Sequence, residues 1–273
     1  MKAYITIMPG DGVGPEITRE AVKVLQAIET SFGHDFTLEE VLFGGIAIDE
    51  TGSPYPEETQ RSCKSSDAVL LGAVGGPKWS DPNMKVRPEK EGLLAMRADL
   101  EIFANIRPIK TYPQLIENSP IKNRYLDNID MVFVRELTGG IYFGKKEKTD
   151  TSASDICEYS KVEIERITRV AANIAQGRRK KITSVDKANV MATSQLWRST
   201  TTELIEEEYT DLELEHIFID AATMHLLSRP AEFDVLLTDN LFGDILTDEA
   251  AMLTGSIGML PSACLGKNSF GVY

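Results

Sequence analysis

The sequence predicts an α/β fold, because short β-rich runs alternate along the chain with stretches of helical apolar spacing. One helix begins at Pro15 and Glu16, and another follows Ser160 and ends at Gly177. A polar stretch at 110–128 that contains two prolines is predicted to be a loop. The predicted strands are residues 4–8, 68–74, 131–134, 182–185, 217–219 and 235–237.

The length and composition are those of an ordinary globular protein. The chain has 273 residues, enough for about two domains, with 42% hydrophobic and 26% charged residues. Its net charge of −13 opposes binding to a phosphate backbone, so we expect no nucleic-acid partner. We interpret the basic run at 177–181 as cations at a helix C-terminus, where the helix dipole favours them.

The cysteine pattern favours a reducing compartment. Cys63, Cys157 and Cys264 have spacings that suit neither a disulfide framework nor a zinc site. The apolar start of the chain is interrupted by Pro9 and Gly10 too early for a signal peptide, and no apolar run approaches the ~18 residues of a membrane helix. We therefore expect a cytoplasmic, unprocessed chain that does not enter a membrane.

A glycine-rich segment, Gly-Asp-Gly-Val-Gly-Pro-Glu at 10–16, joins the first predicted strand to the first predicted helix. Pro15 and Glu16 stand near the place of the third glycine of a dinucleotide-binding fingerprint, and the acidic residues would repel a pyrophosphate. The segment therefore does not indicate a Rossmann fold. It is either a phosphate cradle of another kind or a tight strand-to-helix turn.

Three arginines are candidates for binding carboxylates. Arg97 and Arg107 lie close together in the sequence, and Arg135 follows the strand predicted at 131–134. Guanidinium groups bind carboxylates through two parallel hydrogen bonds, and the ends of apolar strands are where α/β proteins bind ligands. Together the three fit a dicarboxylate, whereas any one of them alone is better explained by a surface ion pair.

Two acidic residues near the end of the chain have helical spacing. Asp244 and Asp248 are four residues apart, which places both carboxylates on one face of a helix. A hard divalent cation such as Mg²⁺ or Mn²⁺ would relieve their repulsion, with Asp220 as a third oxygen ligand. The alternative is a solvated helix start that the dipole stabilises.

Two further residues are candidates for proton transfer. Lys187 follows a predicted strand, and a partly desolvated lysine near cations can act as a base near neutral pH. Tyr142 lies in a turn between glycines and could donate a proton. The alternatives are a surface lysine and a packed tyrosine. From the residues alone, we infer a metal-assisted reaction on a small anionic substrate.

Long stretches of the chain match one known family. The string Val-Arg-Glu-Leu-Thr-Gly-Gly-Ile-Tyr-Phe-Gly at 134–144 is highly specific, and the matching stretches are residues 9–18, 72–79, 92–97, 103–108, 132–144, 184–190 and 239–266. On these residues the chain resembles the isopropylmalate/isocitrate dehydrogenase family of β-decarboxylating dehydrogenases. The resemblance implies the two-domain α/β fold of that family, which is not a Rossmann fold.

The resemblance also implies an activity. It is the oxidative decarboxylation of 3-isopropylmalate to 2-oxoisocaproate (4-methyl-2-oxopentanoate) with reduction of NAD, in leucine biosynthesis. Rival hypotheses are a sister activity on isocitrate, homoisocitrate or tartrate, and a non-catalytic dimerising fragment. By position, Lys187 resembles the base that takes the hydroxyl proton and Tyr142 the acid that protonates the product. The residues matching the family's carboxylate clamp are Arg97, Arg107 and Arg135.

The resemblance assigns the metal and the dimer as well. Asp220, Asp244 and Asp248 match the ligands of Mg²⁺ or Mn²⁺. Family members are homodimers in which the equivalents of Lys187 and Asp220 reach the active site of the neighbouring subunit. A monomer is then expected to be inactive.

Other positions match residues that contact the substrate side chain or the cofactor. Leu93 and Leu94 match the pair that faces the isopropyl group, as apolar side chains should. One residue is inserted just before them, so that either Glu89 or Glu91 matches the glutamate near the nicotinamide, and we favour Glu89. The remaining positions that match the NAD site are Val13, Asn189, Ile257 and Gly258.

The resemblance divides the chain into two domains. The first, on the cofactor side, comprises 1–103 and 253–273, and the second, for substrate and dimerisation, comprises 104–252. Family members continue past Tyr273 into a loop that holds the adenosine half of NAD. The resemblance thus implies a C-terminally incomplete first domain, with weakened NAD binding.

Overall fold

The computed structural model describes residues 1–81, 84–267 and 270–273. The chain forms two compact units, one of Met1–Ile102 with Cys264–Tyr273 and one of Phe103–Ala263. The domain division expected from the sequence stays a prediction. Residues 253–263 have their contacts in the second unit, where Leu253 is buried in the core.

The helices and strands alternate along most of the chain. The strands are β1 (Lys2–Gly10), β2 (Asp35–Glu40), β3 (Ala68–Ala73), β4 (Ala104–Lys110), β5 (Asp130–Glu136), β6 (Lys146–Lys148), β7 (Ala153–Asp155), β8 (Lys181–Asp186), β9 (Glu213–Phe218), β10 (Val235–Thr238), β11 (Ala263–Leu265) and β12 (Gly271–Val272). The α-helices are α1 (Gly14–Phe32), α2 (Gly45–Thr51), α3 (Glu57–Ser65), α4 (Ala95–Asp99), α5 (Lys161–Gln176), α6 (Ala192–Glu208), α7 (Ile219–Ser228) and α8 (Asn240–Ala251).

In the first unit the strands lie in the order β2-β1-β3-β12-β11. The pairs β1–β2, β1–β3 and β3–β12 are parallel, and β11 is antiparallel to β12. Gly10 has a φ of 71°, and a Cβ there would lie 2.0 Å from the carbonyl oxygen of Ala73. Only glycine therefore lets β1 and β3 end side by side. The core includes Met8, Phe43, Cys63, Val69, Met96 and Ile102.

In the second unit the strands lie in the order β4-β5-β10-β8-β9. β4 is antiparallel to β5, and the remaining pairs are parallel. α5 begins with a capping box in which Ser160 and Glu163 each bond to the other's backbone N–H, and it buries an apolar face. The core includes Ile109, Met131, Phe133, Val185, Leu236 and Leu246.

All six predicted strands are present, in β1, β3, β5, β8, β9 and β10, although the prediction at 68–74 ends one residue beyond β3, and the two predicted helices are α1 and α5. The prediction for 217–219 was wrong at its end, because Ile219 begins α7, which has Asp220 in its first turn. β4 was missed because it contains Pro108, which is exposed and paired antiparallel. The predicted loop at 110–128 contains two short 3₁₀ turns.

The basic run that follows α5 is held in ion pairs. Arg178 binds Asp234 through Nε (2.8 Å) and Asp130 through Nη2 (2.6 Å), and Lys180 binds Asp211 through Nζ (2.8 Å). These acids neutralise the run, which begins after the end of α5, whose last turn contains no basic residue. Within the described part of the chain, no helix combines the length and apolarity needed to cross a membrane.

Candidate active site

Polar residues gather at the carboxyl edge of the sheet in the second unit. Arg135 is the penultimate residue of β5, and β8 ends in Asp186, which Lys187 follows. β10 continues through Asp239 into α8, and β9 continues directly into α7, which begins with Ile219. Because these strands are parallel, their ends face one edge of the sheet, where α/β proteins bind ligands.

Arg135 is the buried centre of the site. Its side chain is only 3% exposed, yet both partners lie on α8. Nε and Nη2 donate to Oδ1 of Asn240 over 3.2 and 2.8 Å, and Nη1 donates to Oδ1 of Asp244. A buried guanidinium needs such partners, because burying an unpaired charge is costly. The two contacts fix the orientation of Arg135 relative to α8.

Tyr142 joins the same carboxylate from a 3₁₀ turn, Gly140–Tyr142. Its hydroxyl donates to Oδ2 of Asp244 over 2.9 Å. Burial and this hydrogen bond raise the pKa of Tyr142 to about 12. The phenol therefore keeps its proton throughout the neutral range and can serve as a proton donor.

Arg107 lies on β4, beside β5, and faces the next turn of α8. Its Nη1 is 3.7 Å from Oδ1 of Asp248 and donates to Oγ1 of Thr247 over 3.3 Å. Its Nε donates to Oδ1 of Asn105 over 3.0 Å. The predicted spacing of Asp244 and Asp248 on one helix is thus realised, with an arginine at each carboxylate.

Lys187 and Asp220 form a separate pair. Lys187 Nζ lies 2.5 Å from Oδ1 of Asp220, and this contact holds the pKa of the carboxyl below its usual range. The side chain of Asp220 is 64% exposed. No group of three or more His, Cys, Asp or Glu side chains among the described residues is arranged to hold a metal ion. Asp220 is therefore not brought together with Asp244 and Asp248 within one chain.

In the first unit, a π-helix at Pro88–Leu94 runs directly into α4. A π-helix holds more residues per turn than an α-helix, so it takes up an inserted residue without breaking the helical path. A helix of this kind could take up the residue that the family resemblance indicates as inserted before Leu93. Leu93 packs against the core of this unit, and Arg97, on α4, is partly buried.

Glu89 and Glu91 have different surroundings in this helix. Oε2 of Glu91 accepts the backbone N–H of Arg87 over 2.8 Å, and Oε1 lies 3.3 Å from Lys90 Nζ. Glu89 is exposed, and a Cβ on Gly75 would lie 2.2 Å from its Oε1. Glu91 is thus bound to its own helix, while Glu89 lies against the glycine loop after β3.

The other residues assigned to the cofactor are exposed. Val13 precedes α1 in the first unit and is 55% exposed. In the second unit, Ile257 is 56% exposed in a 3₁₀ turn with Gly258, and Asn189 is exposed in the turn after β8. Each is open to a group that binds from solvent.

The glycine-rich segment at 10–16 is organised by Asp11, which the sequence interpretation counted against anion binding. The side chain of Asp11 is buried, and its Oδ2 accepts the N–H groups of Gly45 and Gly75, each over 2.7 Å. Oδ1 accepts the N–H of Ile46 over 2.7 Å. Asp11 therefore joins the turn after β1, the start of α2 and the loop after β3. In the sequence, the signal for this structural role was an acidic residue between two glycines in a strand-to-helix turn.

Asp239 is a second buried acid that the sequence did not reveal. It caps α8, with Oδ1 accepting the N–H of Phe242 over 2.7 Å. Burial outweighs this bond and the attraction of Arg135, and it raises the pKa of Asp239 to about 7. Asp239 thus changes charge near neutral pH, close to Arg135.

The chain belongs to the isocitrate/isopropylmalate dehydrogenase family, whose pattern it matches over residues 4–273. The 3-isopropylmalate dehydrogenase of Geobacillus kaustophilus is 53% identical over 274 residues, which cover 98% of this chain and 73% of that protein. The enzyme of the same name from Bacillus caldotenax is 54% identical over 273 residues, with coverage of 98% and 74%. The fold also matches the crystal structure of isocitrate dehydrogenase from Methylococcus capsulatus, with a TM-score of 0.86 and 32% sequence identity. The match covers 98% of this chain and 76% of the isocitrate dehydrogenase chain. The family and the fold class expected from the sequence are confirmed.

Proposed function

We propose that this chain catalyses the NAD-dependent oxidative decarboxylation of 3-isopropylmalate to 2-oxoisocaproate. The observation that carries the proposal is the cluster in which Arg135 and Tyr142 share the carboxylate of Asp244, with Arg107 and Asp248 one helical turn away. It combines carboxylate binding, a proton donor and hard oxygen ligands. The names of relatives about half identical to this chain support the same substrate.

We assign binding of the substrate carboxylates to the arginines. Arg107 and Arg135 present guanidinium groups whose planar donors match a carboxylate in two parallel bonds. Arg97, on α4, is the third candidate for this role. Leu93 and Leu94, just before it, provide apolar surface for the isopropyl group. A substrate with a third carboxylate would leave that charge without a partner beside leucine, which disfavours isocitrate.

The donor set fits a divalent cation when two subunits contribute. Asp244 and Asp248 offer carboxylate oxygens from one face of α8, and their side chains are 43% and 63% exposed. Mg²⁺ and Mn²⁺ prefer such ligands, and Asp220 of a second subunit would complete the set. The ion, when bound, supplies positive charge that stabilises negative charge developing on the C2 oxygen of the substrate.

Two proton transfers are assigned to this chain's residues. Lys187 takes the proton of the C2 hydroxyl. A bound NAD would supply the acceptor for the hydride that leaves the same carbon. The carboxylate attached to C3 then leaves as CO₂. The electron pair of the broken bond remains with C3, which needs a proton. Tyr142 supplies it from a phenol that its raised pKa keeps protonated. Residues proposed to hold NAD are Val13, Glu89, Asn189, Ile257 and Gly258.

We further propose a homodimer in which Lys187 and Asp220 serve the partner's site. Two observations support it: Asp220 is not assembled with the other acids within one chain, and α7 and α8 expose large apolar side chains, including Met224 and Ile245. A cytoplasmic location stays a prediction. It is motivated by three free cysteines, as is usual in a reducing compartment.

Turnover of 3-isopropylmalate tests the proposed function. NADH formation is followed with Mg²⁺ or Mn²⁺ over a range of NAD concentrations, and kcat/KM is compared for 3-isopropylmalate, isocitrate, homoisocitrate and tartrate. We expect at least about tenfold preference for 3-isopropylmalate, since one apolar group is worth 10- to 200-fold. Preference for another acid, or no turnover of any, would overturn the proposal.

A further inference from the structure

The turn that carries Lys187 is fixed by an ion pair whose carboxylate is buried. Asp186, the last residue of β8, has a side chain only 1% exposed, and its neighbour Lys187 extends to Asp220. Oδ1 of Asp186 accepts the backbone N–H of Ala188 over 2.9 Å. The carboxylate therefore binds the chain on the far side of Lys187 and closes the turn around it.

Arg198, on α6, holds this carboxylate in place. Its Nε donates to Oδ2 of Asp186 over 2.8 Å, and its Nη2 donates to Oδ1 over 2.9 Å. Such a two-bond contact fixes both the distance and the plane of the carboxylate. The guanidinium also lies 5.1 Å from the ring centre of Phe218, the last residue of β9. The Asp186–Arg198 pair thus links the end of β8 to α6 and to the end of β9.

The backbone of Lys187 is fixed from the other side as well. Its carbonyl oxygen accepts the N–H groups of Val190 over 3.0 Å and Met191 over 2.9 Å. With the N–H of Ala188 bound to Asp186, both polar groups of the peptide that joins Lys187 to Ala188 have partners. The long lysine side chain therefore starts from a fixed backbone orientation, and its amine ends at Asp220.

We propose that Asp186 and Arg198 are positioning residues that orient Lys187 for proton transfer, an inference that rests on the proposed function. Neither side chain needs to touch the substrate. Their effect is on the chemical step, because a misplaced base lowers the rate without changing how the carboxylates are bound. Residues that act only through Lys187 should have no effect once Lys187 has been removed.

A double-mutant cycle tests this. We expect Asp186→Asn to lower kcat at least tenfold, with the KM for 3-isopropylmalate changed less than threefold, and to raise the deuterium isotope effect on kcat with substrate labelled at C2. In a Lys187→Ala background, the same change should cause no further loss. Arg198→Lys, which keeps the charge but not the planar fork, should show the same pattern. Independent losses that multiply in the double variant would overturn the proposal.

The matched control is another arginine–carboxylate pair that involves α6. Arg169 donates to Glu208 through Nε (3.0 Å) and Nη2 (2.7 Å), far along the sequence from Lys187. Glu208→Gln breaks a similar two-bond contact and should leave kcat and the isotope effect unchanged. A loss equal to that of Asp186→Asn would show that the effect is general and would contradict the proposal.

A second measurement does not require turnover. Lysine amines are dimethylated with ¹³C, and the Lys187 resonance is identified by its absence in Lys187→Arg. We expect it to move toward the position of exposed lysines in Asp186→Asn and to stay in place in Glu208→Gln. An unchanged resonance would overturn the positioning role. If the wild-type protein turns over none of the four acids tested, the proposed function fails. The comparison of resonances still shows whether Asp186 orients the Lys187 side chain.

Discussion

The hydroxyl of Tyr142 donates a hydrogen bond to Oδ2 of Asp244 over 2.9 Å, across 102 positions of sequence. The other oxygen of that carboxylate accepts from Arg135. One aspartate thus links the candidate proton donor to the candidate substrate clamp. Burial and this carboxylate acceptor both disfavour the phenolate and raise the pKa of Tyr142 to about 12.

Replacing Tyr142 by phenylalanine should lower kcat about 100-fold or more, because the ring remains but the proton donor is lost. The measurement is steady-state NADH formation from 3-isopropylmalate at saturating substrate. Tyr112, which is 46% exposed, provides the control, and Tyr112→Phe should behave as wild type. A Tyr142→Phe enzyme with a kcat within twofold of wild type would rule out the assigned role.

Arg107→Lys should raise the KM for 3-isopropylmalate about 10- to 100-fold. Lysine keeps the charge but cannot form two parallel bonds, and a hydrogen bond to a charged group contributes about 1.5–3 kcal/mol. Initial rates against substrate concentration give the result. Arg169→Lys, on the surface of α5, is the matched control, and equal KM values for the two variants would contradict the assignment.

Mixed dimers should recover activity if Lys187 acts in the neighbour's site. A Lys187→Ala subunit paired with a Tyr142→Phe subunit forms one intact site and one doubly defective site. Random mixing of the two inactive variants should then restore about a quarter of the wild-type activity, as expected for a twofold dimer. Each variant refolded alone serves as the control. Mixtures that remain inactive would indicate that both residues act within one subunit.

The two glutamates of the π-helix should respond differently to substitution. Glu89→Gln is expected to raise the KM for NAD several-fold without changing the free energy of unfolding. Glu91→Gln should leave that KM unchanged and lower the free energy of unfolding by about 0.5 kcal/mol, since it weakens the hydrogen bond from the Arg87 N–H by removing the charge of its acceptor. Kinetics and urea unfolding of both variants are compared. The reverse pattern would assign the cofactor contact to Glu91.

Asp239 should make stability fall as the pH rises. Its pKa is raised by burial from 3.8 to about 7, so between these values the unfolded chain releases a proton that the folded chain retains. The stabilisation is complete below pH 3.8 and is lost as the pH passes about 7. Asp239→Asn keeps the helix cap but cannot ionise. The free energy of unfolding of the Asp239→Asn variant minus that of wild type should therefore rise by at most about 4 kcal/mol between pH 3.8 and about pH 7.

Denaturant unfolding of both proteins at several pH values measures this difference. The comparison with Asp239→Asn isolates one group, because all other titrating residues are common to the two proteins. A difference that stays constant between pH 4 and pH 8 would show that Asp239 ionises normally in the folded state.

Local patterns in the sequence were enough to predict much of the fold and the site. The strand at 131–134 is recognisable because a strand that is buried on both faces is continuously apolar. The spacing of Asp244 and Asp248 places them on one helix face before any contact is known. The π-helix at Pro88–Leu94 was not predicted, because the comparison with the family pattern indicates an extra residue but nothing in the local sequence specifies how the helix takes it up.

The sequence by itself determined the fold class, the family and the chemical types of the site residues, because these follow from short-range periodicity and residue identity. Tertiary structure alone decided which charges meet. The order β5-β10-β8-β9 and the helices between these strands join Asp244 to Arg135 and Asp186 to Arg198. A carboxylate that is buried requires a partner, yet nothing in the local sequence specifies which distant cation the fold brings to it.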